Sequence, residues 1–168
     1  MVRGKRIKPV ELGVSGGDKI LSKCKSFVKS EGVDIKNGDV VAIVTDHDFR
    51  YDEESIARLH SECEKNGFQL FLSNASFEVW LLMHYKALSK PYSQEELEAE
   101  LSEAIDHRYV KSEGILLDQD SLEVALGNCR KNGLGADNPE ECLRRNPSTM
   151  VHLLVKDLIN GGDRLRRG

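Results

Sequence analysis

The run Asp39-Val40-Val41-Ala42-Ile43-Val44-Thr45 constrains this fold more than any other segment. β-branched side chains favour extended backbone. A run without polar alternation suits a strand covered on both faces, as in a parallel sheet. Upstream, Ile20, Leu21, Cys24, Phe27 and Val28 form the stripe of an amphipathic helix, with Gly32 placed as a left-handed C-terminal cap. Asp18, after Gly16-Gly17, is offered as its N-cap. Residues 7–14, Ile-Lys-Pro-Val-Glu-Leu-Gly-Val, alternate as a short strand. Downstream, Glu53 to Lys65 reads as a helix with Ile56, Leu59, His60 and Cys63 inward, closed by Asn66-Gly67. Phe68-Gln69-Leu70-Phe71-Leu72-Ser73 is the next strand. Strand and helix alternating in this way predict an open α/β sheet with right-handed crossovers.

The later part has no comparable strand. Phe77 to Tyr85 is nearly all apolar and predicts a buried helix. Pro91 marks a break, and Ser93-Gln94-Glu95-Glu96 matches a capping box opening a helix to about Asp106. Asp120 to Lys131 is a further helix, and Asn138-Pro139 opens a short one. Asn146-Pro147 is expected to start the last, running to about Ile159. The expected fold is α/β in a single domain: an α/β half over 1–86 with a small, mostly parallel sheet and flanking helices, then a helical half over 87–168.

The chain's 168 residues suit one domain, and 39% hydrophobic with 31% charged residues excludes collagen, a disordered polyampholyte and a coiled-coil rod. No apolar run approaches the roughly 18 residues of a membrane span. The charged N-terminus has no apolar core after it, so no signal peptide is expected and a soluble, cytoplasmic protein is. Cys24, Cys63, Cys129 and Cys142 show no metal-ligand spacing and are expected as reduced, mostly buried thiols. Arg3, Lys5, Arg6 and Lys8 at one end, and Arg164, Arg166 and Arg167 at the other, could contact phosphates, although solvated tails are the preferred reading. The stretch Glu95, Glu96, Glu98, Glu100, Glu103 and Asp106 would repel nucleic acid, so any such surface lies elsewhere.

Thr45-Asp46-His47-Asp48-Phe49 follows the β-branched strand directly. Ligands of parallel sheets bind outside the carboxyl ends of the strands. Asp46 and Asp48, one residue apart, can turn their carboxylates to one side and suit Mg²⁺, which takes one or two carboxylates with water and phosphate oxygens. Such an ion polarises a phosphodiester and activates water. The bland alternative is a polar turn in which Asp48 caps the next helix. Asn74 and Glu78, in Ser73-Asn74-Ala75-Ser76-Phe77-Glu78-Val79-Trp80-Leu81-Leu82-Met83-His84, follow the next strand and should emerge at the same edge. Glu78 is the lone acid of an apolar run, and a buried carboxylate is costly unless a cation or donors accept it. It is a candidate third ligand or general base, or else a capping glutamate. His84 is a candidate base or a core histidine, and Glu11 is expected to face solvent. Neither common phosphate-binding glycine fingerprint is present.

Four pieces in order, Gly13-Val14-Ser15-Gly16-Gly17-Asp18, Val44-Thr45-Asp46-His47-Asp48, the Ser73–His84 segment and Asn146-Pro147-Ser148-Thr149-Met150-Val151-His152, resemble the RloB-like family. The third is long and specific. The resemblance implies a TOPRIM-related fold and a site in which Asp46 and Asp48 hold Mg²⁺ or Mn²⁺ for phosphodiester cleavage, with Glu78 assisting as a third metal ligand or as base. Asn74 would orient substrate or water. It implies a nuclease of DNA or RNA in antiviral (phage) defence, often beside an ATPase encoded in the same locus, with a homo-oligomer as a further expectation and no membrane. Family members also open with a Glu-containing strand-helix unit, which this chain is expected to lack. That departure motivates the alternative of a catalytically reduced binding module for nucleic acid, a nucleotide signal or a partner ATPase.

Overall fold

In the computed structural model, residues 7–14, 16–47, 52–131 and 133–160 are described. Helix α1 (Gly17–Glu31) leads through a 3-10 turn to strand β1 (Val41–Asp46), then helix α2 (Glu53–Lys65) and strand β2 (Phe68–Asn74). Helices α3 (Glu78–Leu82), α4 (Gln94–Ala104), α5 (Gln119–Lys131) and α6 (Pro139–Leu143) follow. Strand β3 (Ser148–Thr149) and helix α7 (Val151–Ile159) complete the order. No helix among the described residues is long and apolar enough to cross a membrane.

Among the described residues the sheet has three strands in the order β1-β2-β3. β1 runs parallel to β2 from Val41 opposite Phe68 to Asp46 opposite Ser73. β3 pairs antiparallel with β2, Ser73 opposite Thr149 and Asn74 opposite Ser148. The α/β class therefore holds, but the sheet is mixed rather than mostly parallel. The later part is also not wholly helical, because β3 returns from it to the central strand.

Several local expectations meet their physical limits here. Residues 7–14 form no strand: Pro9 has no amide hydrogen for a ladder and Gly13 takes a φ of 60°, outside extended backbone. Leu12 and Val14 still pack against the core beneath α1. Glu11 is exposed, and it lies on irregular chain rather than a strand. Among the described residues β1 is consequently an edge strand, with Ile43 buried but Ala42 and Val44 exposed, so it is not covered on both faces there. The central strand β2 has that double covering. The N-cap of α1 is Gly16, and Asp18 sits in the first turn. Gly32 is left-handed, and Asp52 rather than Asp48 caps α2 by accepting the Ser55 amide. The Ser93–Glu96 capping box is present. Asn138 caps α6. Asn146-Pro147 does not open the last helix, because the Asn146 side chain is spent on the backbone of Tyr92, accepting its amide at 3.2 Å and donating to its carbonyl at 2.9 Å.

Three apolar clusters hold these pieces together. Ile20, Leu21, Cys24, Ile43, Leu59, Cys63, Phe68 and Leu70 join α1 and α2 to the sheet. Ile56, Phe71, Leu72, Cys142, Met150 and Leu153 join α2, α6 and α7 to it. Val79, Trp80, Leu82, Met83, Leu97, Leu101, Ala125 and Cys129 pack α3 against α4 and α5. Burying each such aliphatic or aromatic side chain is worth about 1.5–3 kcal/mol before entropy is set against it. All four cysteines are buried free thiols. Burial pushes the thiols of Cys63 and Cys129 up to about 11 and that of Cys142 to about 12, far from the reactive thiolate.

Candidate functional site

The parallel register places Asp46 at the carboxyl end of β1, beside Ser73 near the end of β2. β2 then turns directly into α3, whose first residue is Glu78. Oδ1 of Asp46 accepts the backbone amide of Phe77 at 2.7 Å, which ties the end of β1 to the start of α3. Strand pairing and this single bond bring two carboxylates together from positions far apart in the chain.

Two residues that the sequence did not single out complete the cluster. Tyr109 donates its hydroxyl to Oε1 of Glu78 at 3.0 Å. Nζ of Lys111 lies 3.1 Å from the same Oε1 and 3.7 Å from Oδ2 of Asp46. Both come from the irregular segment between α4 and α5, which follows the acid-only stretch. Their only sequence signal is that aromatic and basic residues reappear there, at His107-Arg108-Tyr109-Val110-Lys111.

The two acids sit in unequal surroundings. Glu78 is fully buried, while a third of the Asp46 side chain is exposed. Burial pushes the Asp46 carboxyl up and the negative Glu78 adds to this. Lys111 and the Phe77 amide oppose the rise without cancelling it, so Asp46 titrates above the ordinary aspartate range. For Glu78, burial is again the largest influence and favours the neutral acid. The Ser76 hydroxyl, the backbone amide and Lys111 together outweigh it and hold this carboxyl below the ordinary glutamate range. Oε2 of Glu78 and the Ser76 hydroxyl are nevertheless buried without a hydrogen bond of ordinary geometry. Lys111 is raised: burial disfavours its charge, but Glu78 and Asp46 outweigh that.

The remaining sequence candidates separate. Asp48 lies outside the described residues. Asn74 is buried and donates to the carbonyls of Cys142 at 3.3 Å and Leu143 at 2.9 Å, so it ties β2 to the end of α6. Its Oδ1 lies 3.4 Å from Nδ1 of His47. His84 meets Ser121 at 3.3 Å and the edge of Trp80, with centroids 5.0 Å apart. Those are not the partners of the acidic pair. Burial holds His84 below the usual histidine range, and its Nε2 is buried without a hydrogen bond.

A cation fits this cluster chemically. An ammonium already serves both carboxylates, and one buried carboxylate oxygen has no hydrogen bond of ordinary geometry. Hard oxygen ligands of this type suit Mg²⁺ or Mn²⁺. Among the described residues no group of three or more His, Cys, Asp or Glu side chains is placed to hold a metal, and Asp46 and Glu78 are the two carboxylates that share Lys111.

No curated protein and no solved structure matches the chain. The model of the family described as RloB-like protein matches residues 5–158, a span that contains Asp46, Asn74, Glu78, Tyr109 and Lys111. With nearly the whole sequence inside that match, the chain belongs to the RloB-like family.

Proposed function

We propose that this protein is a metal-dependent phosphodiesterase, a TOPRIM-type nuclease acting on DNA or RNA in antiviral defence. The observation that carries the reading is the pairing of Asp46 and Glu78 at the carboxyl edge of the parallel strands, where both share one cationic partner. Asp46 and Glu78 would hold Mg²⁺ or Mn²⁺, with Asp48 as a further ligand from the segment after β1. A bound ion there supplies Lewis-acid polarisation of the phosphodiester and a more acidic attacking water.

The protein's own groups do the positioning. The Phe77 amide fixes one oxygen of Asp46, leaving the other turned to the Lys111 side. The Tyr109 hydroxyl orients the Glu78 carboxylate, which stays ionised because its surroundings hold its pKa low. Asn74, spent on α6, supports the strand end, and a direct part for it in orienting water or substrate is a proposal beside that support.

The test is cleavage of DNA and RNA panels with Mg²⁺ or Mn²⁺, comparing wild type with Asp46→Ala, Asp48→Ala and Glu78→Gln. Activity lost in the variants supports the reading, and identical traces for all four proteins defeat it. A second reading, a reduced binding module for nucleic acid, a nucleotide signal or a partner ATPase, is favoured by the two-carboxylate count among the described residues. Calorimetric titration with Mg²⁺ separates the two, since a pure protein-binding module gives no heat that depends on Asp46.

A further inference from the structure

The partners of Lys111 are lopsided. Its side chain is 56% exposed, yet it reaches Glu78, which is fully buried, and Asp46, which is a third exposed. An exposed lysine in an ion pair usually contributes about 0–1 kcal/mol, because ordering a long side chain offsets much of the attraction. A buried carboxylate needs more than that. It has about four acceptor sites, and here Oε1 receives the Tyr109 hydroxyl and the Lys111 ammonium while Oε2 receives nothing of ordinary geometry. At 3.7 Å the contact to Asp46 is an ion-pair distance beyond a normal hydrogen bond, so the ammonium there acts as shared charge.

These features describe a cation that is useful and easily removed. Lys111 sits in a turn of the irregular segment between α4 and α5. Its half-exposed side chain belongs to no apolar cluster, so it can leave the acids by rotation of its own bonds. The acids cannot leave in the same way, because Asp46 is held by the Phe77 amide and Glu78 by Tyr109.

We propose that Lys111 is a tethered counter-ion of the acidic pair, which stabilises the two carboxylates in the metal-free protein and is displaced when a divalent ion binds. This rests on the metal-site reading above and adds a regulation to it: the ion competes with the protein's own ammonium. A Lys111→Met variant therefore binds Mn²⁺ more tightly than wild type, by roughly fivefold for an exposed ammonium of ordinary worth. Without metal the same variant melts at a lower temperature than wild type, and Mn²⁺ restores more of its stability than it adds to wild type. Lys111→Arg keeps the charge and behaves as wild type.

The experiment is Mn²⁺ titration followed by calorimetry and by thermal melts, on wild type, Lys111→Met, Lys111→Gln and Lys111→Arg, with Asp46→Asn as the control for the site. Lys111→Gln keeps a polar head and serves if Lys111→Met fails to fold. Tighter binding in the uncharged variants, abolished by adding Asp46→Asn, supports the proposal. Asp46-dependent binding of equal affinity in all the Lys111 variants overturns it and leaves the metal site standing. Absence of Asp46-dependent binding in every protein overturns the metal reading itself and this inference with it.

Discussion

Tyr109 donates its hydroxyl to Glu78 across 31 positions of chain, so a residue beyond α4 holds the carboxylate that begins α3. The bond links the later helical part of the chain to the acidic pair at the sheet edge. It also gives the fully buried Glu78 a neutral donor beside the Lys111 ammonium.

Tyr109→Phe removes that donor and keeps the ring. Leaving a buried charged acceptor short of a partner costs about 1–3 kcal/mol. Urea unfolding should show a lower midpoint at unchanged slope. A midpoint equal to wild type would mean that water or Ser76 replaces the hydroxyl.

Asp46→Asn should stabilise the metal-free protein near neutral pH. The folded-state pKa of Asp46 is raised, so its favourable contribution is fully present below the ordinary aspartate range and is lost as pH rises through the raised value. Asparagine keeps the carbonyl that accepts the Phe77 amide without the buried charge. Thermal melts in chelator should show the variant gaining on wild type as pH rises from acid to neutral, and a gap that widens toward acid pH contradicts the sign.

Glu78 has the opposite sign. Its folded-state pKa is lowered, so its stabilising contribution is present above the ordinary glutamate range and is lost as pH falls through the lowered value. Glu78→Gln should therefore flatten the acid limb of the stability profile, where the Asp46 variant alters the rise toward neutral. Superimposable acid limbs for wild type and Glu78→Gln would refute this assignment.

Asn74→Ala should cost about 1–3 kcal/mol, because the carbonyls of Cys142 and Leu143 lose a buried donor. A variant that loses activity with full stability would instead place Asn74 chiefly at the substrate.

Gly135→Ala should destabilise by about 1–3 kcal/mol through overpacking. A methyl group built there comes within 2.8 Å of the His152 ring. That ring is buried and held to the Thr149 carbonyl at 3.0 Å, so it has little room to yield. Equal chemical-denaturation midpoints for variant and wild type would show that the ring moves aside.

Much of the fold is legible locally. The α2 boundaries, the left-handed Gly32, the Ser93 capping box and the Asn138 cap all follow from signals within a few residues. The failures arise where a local signal met a distant partner. Asn146 reads as a cap until Tyr92, far back in the chain, engages its side chain. Residues 7–14 alternate as a strand, yet Pro9 and Gly13 deny them a ladder. Ser148 and Thr149 carry no strand signal of their own; they become β3 because β2 offers them an open edge.

The same division runs through the site. The sequence by itself determined that Asp46 ends a β-branched strand and that Glu78 is the one acid of an apolar segment, because strand propensity and hydrophobic pattern are written in neighbouring residues. Only the tertiary structure decided that the two acids share a cation, that Tyr109 and Lys111 supply their partners, and that Asn74 is turned to α6. Those contacts span about 30 to 70 residues of chain, and burial, charge pairing and strand register that act across such distances leave no trace in local spacing.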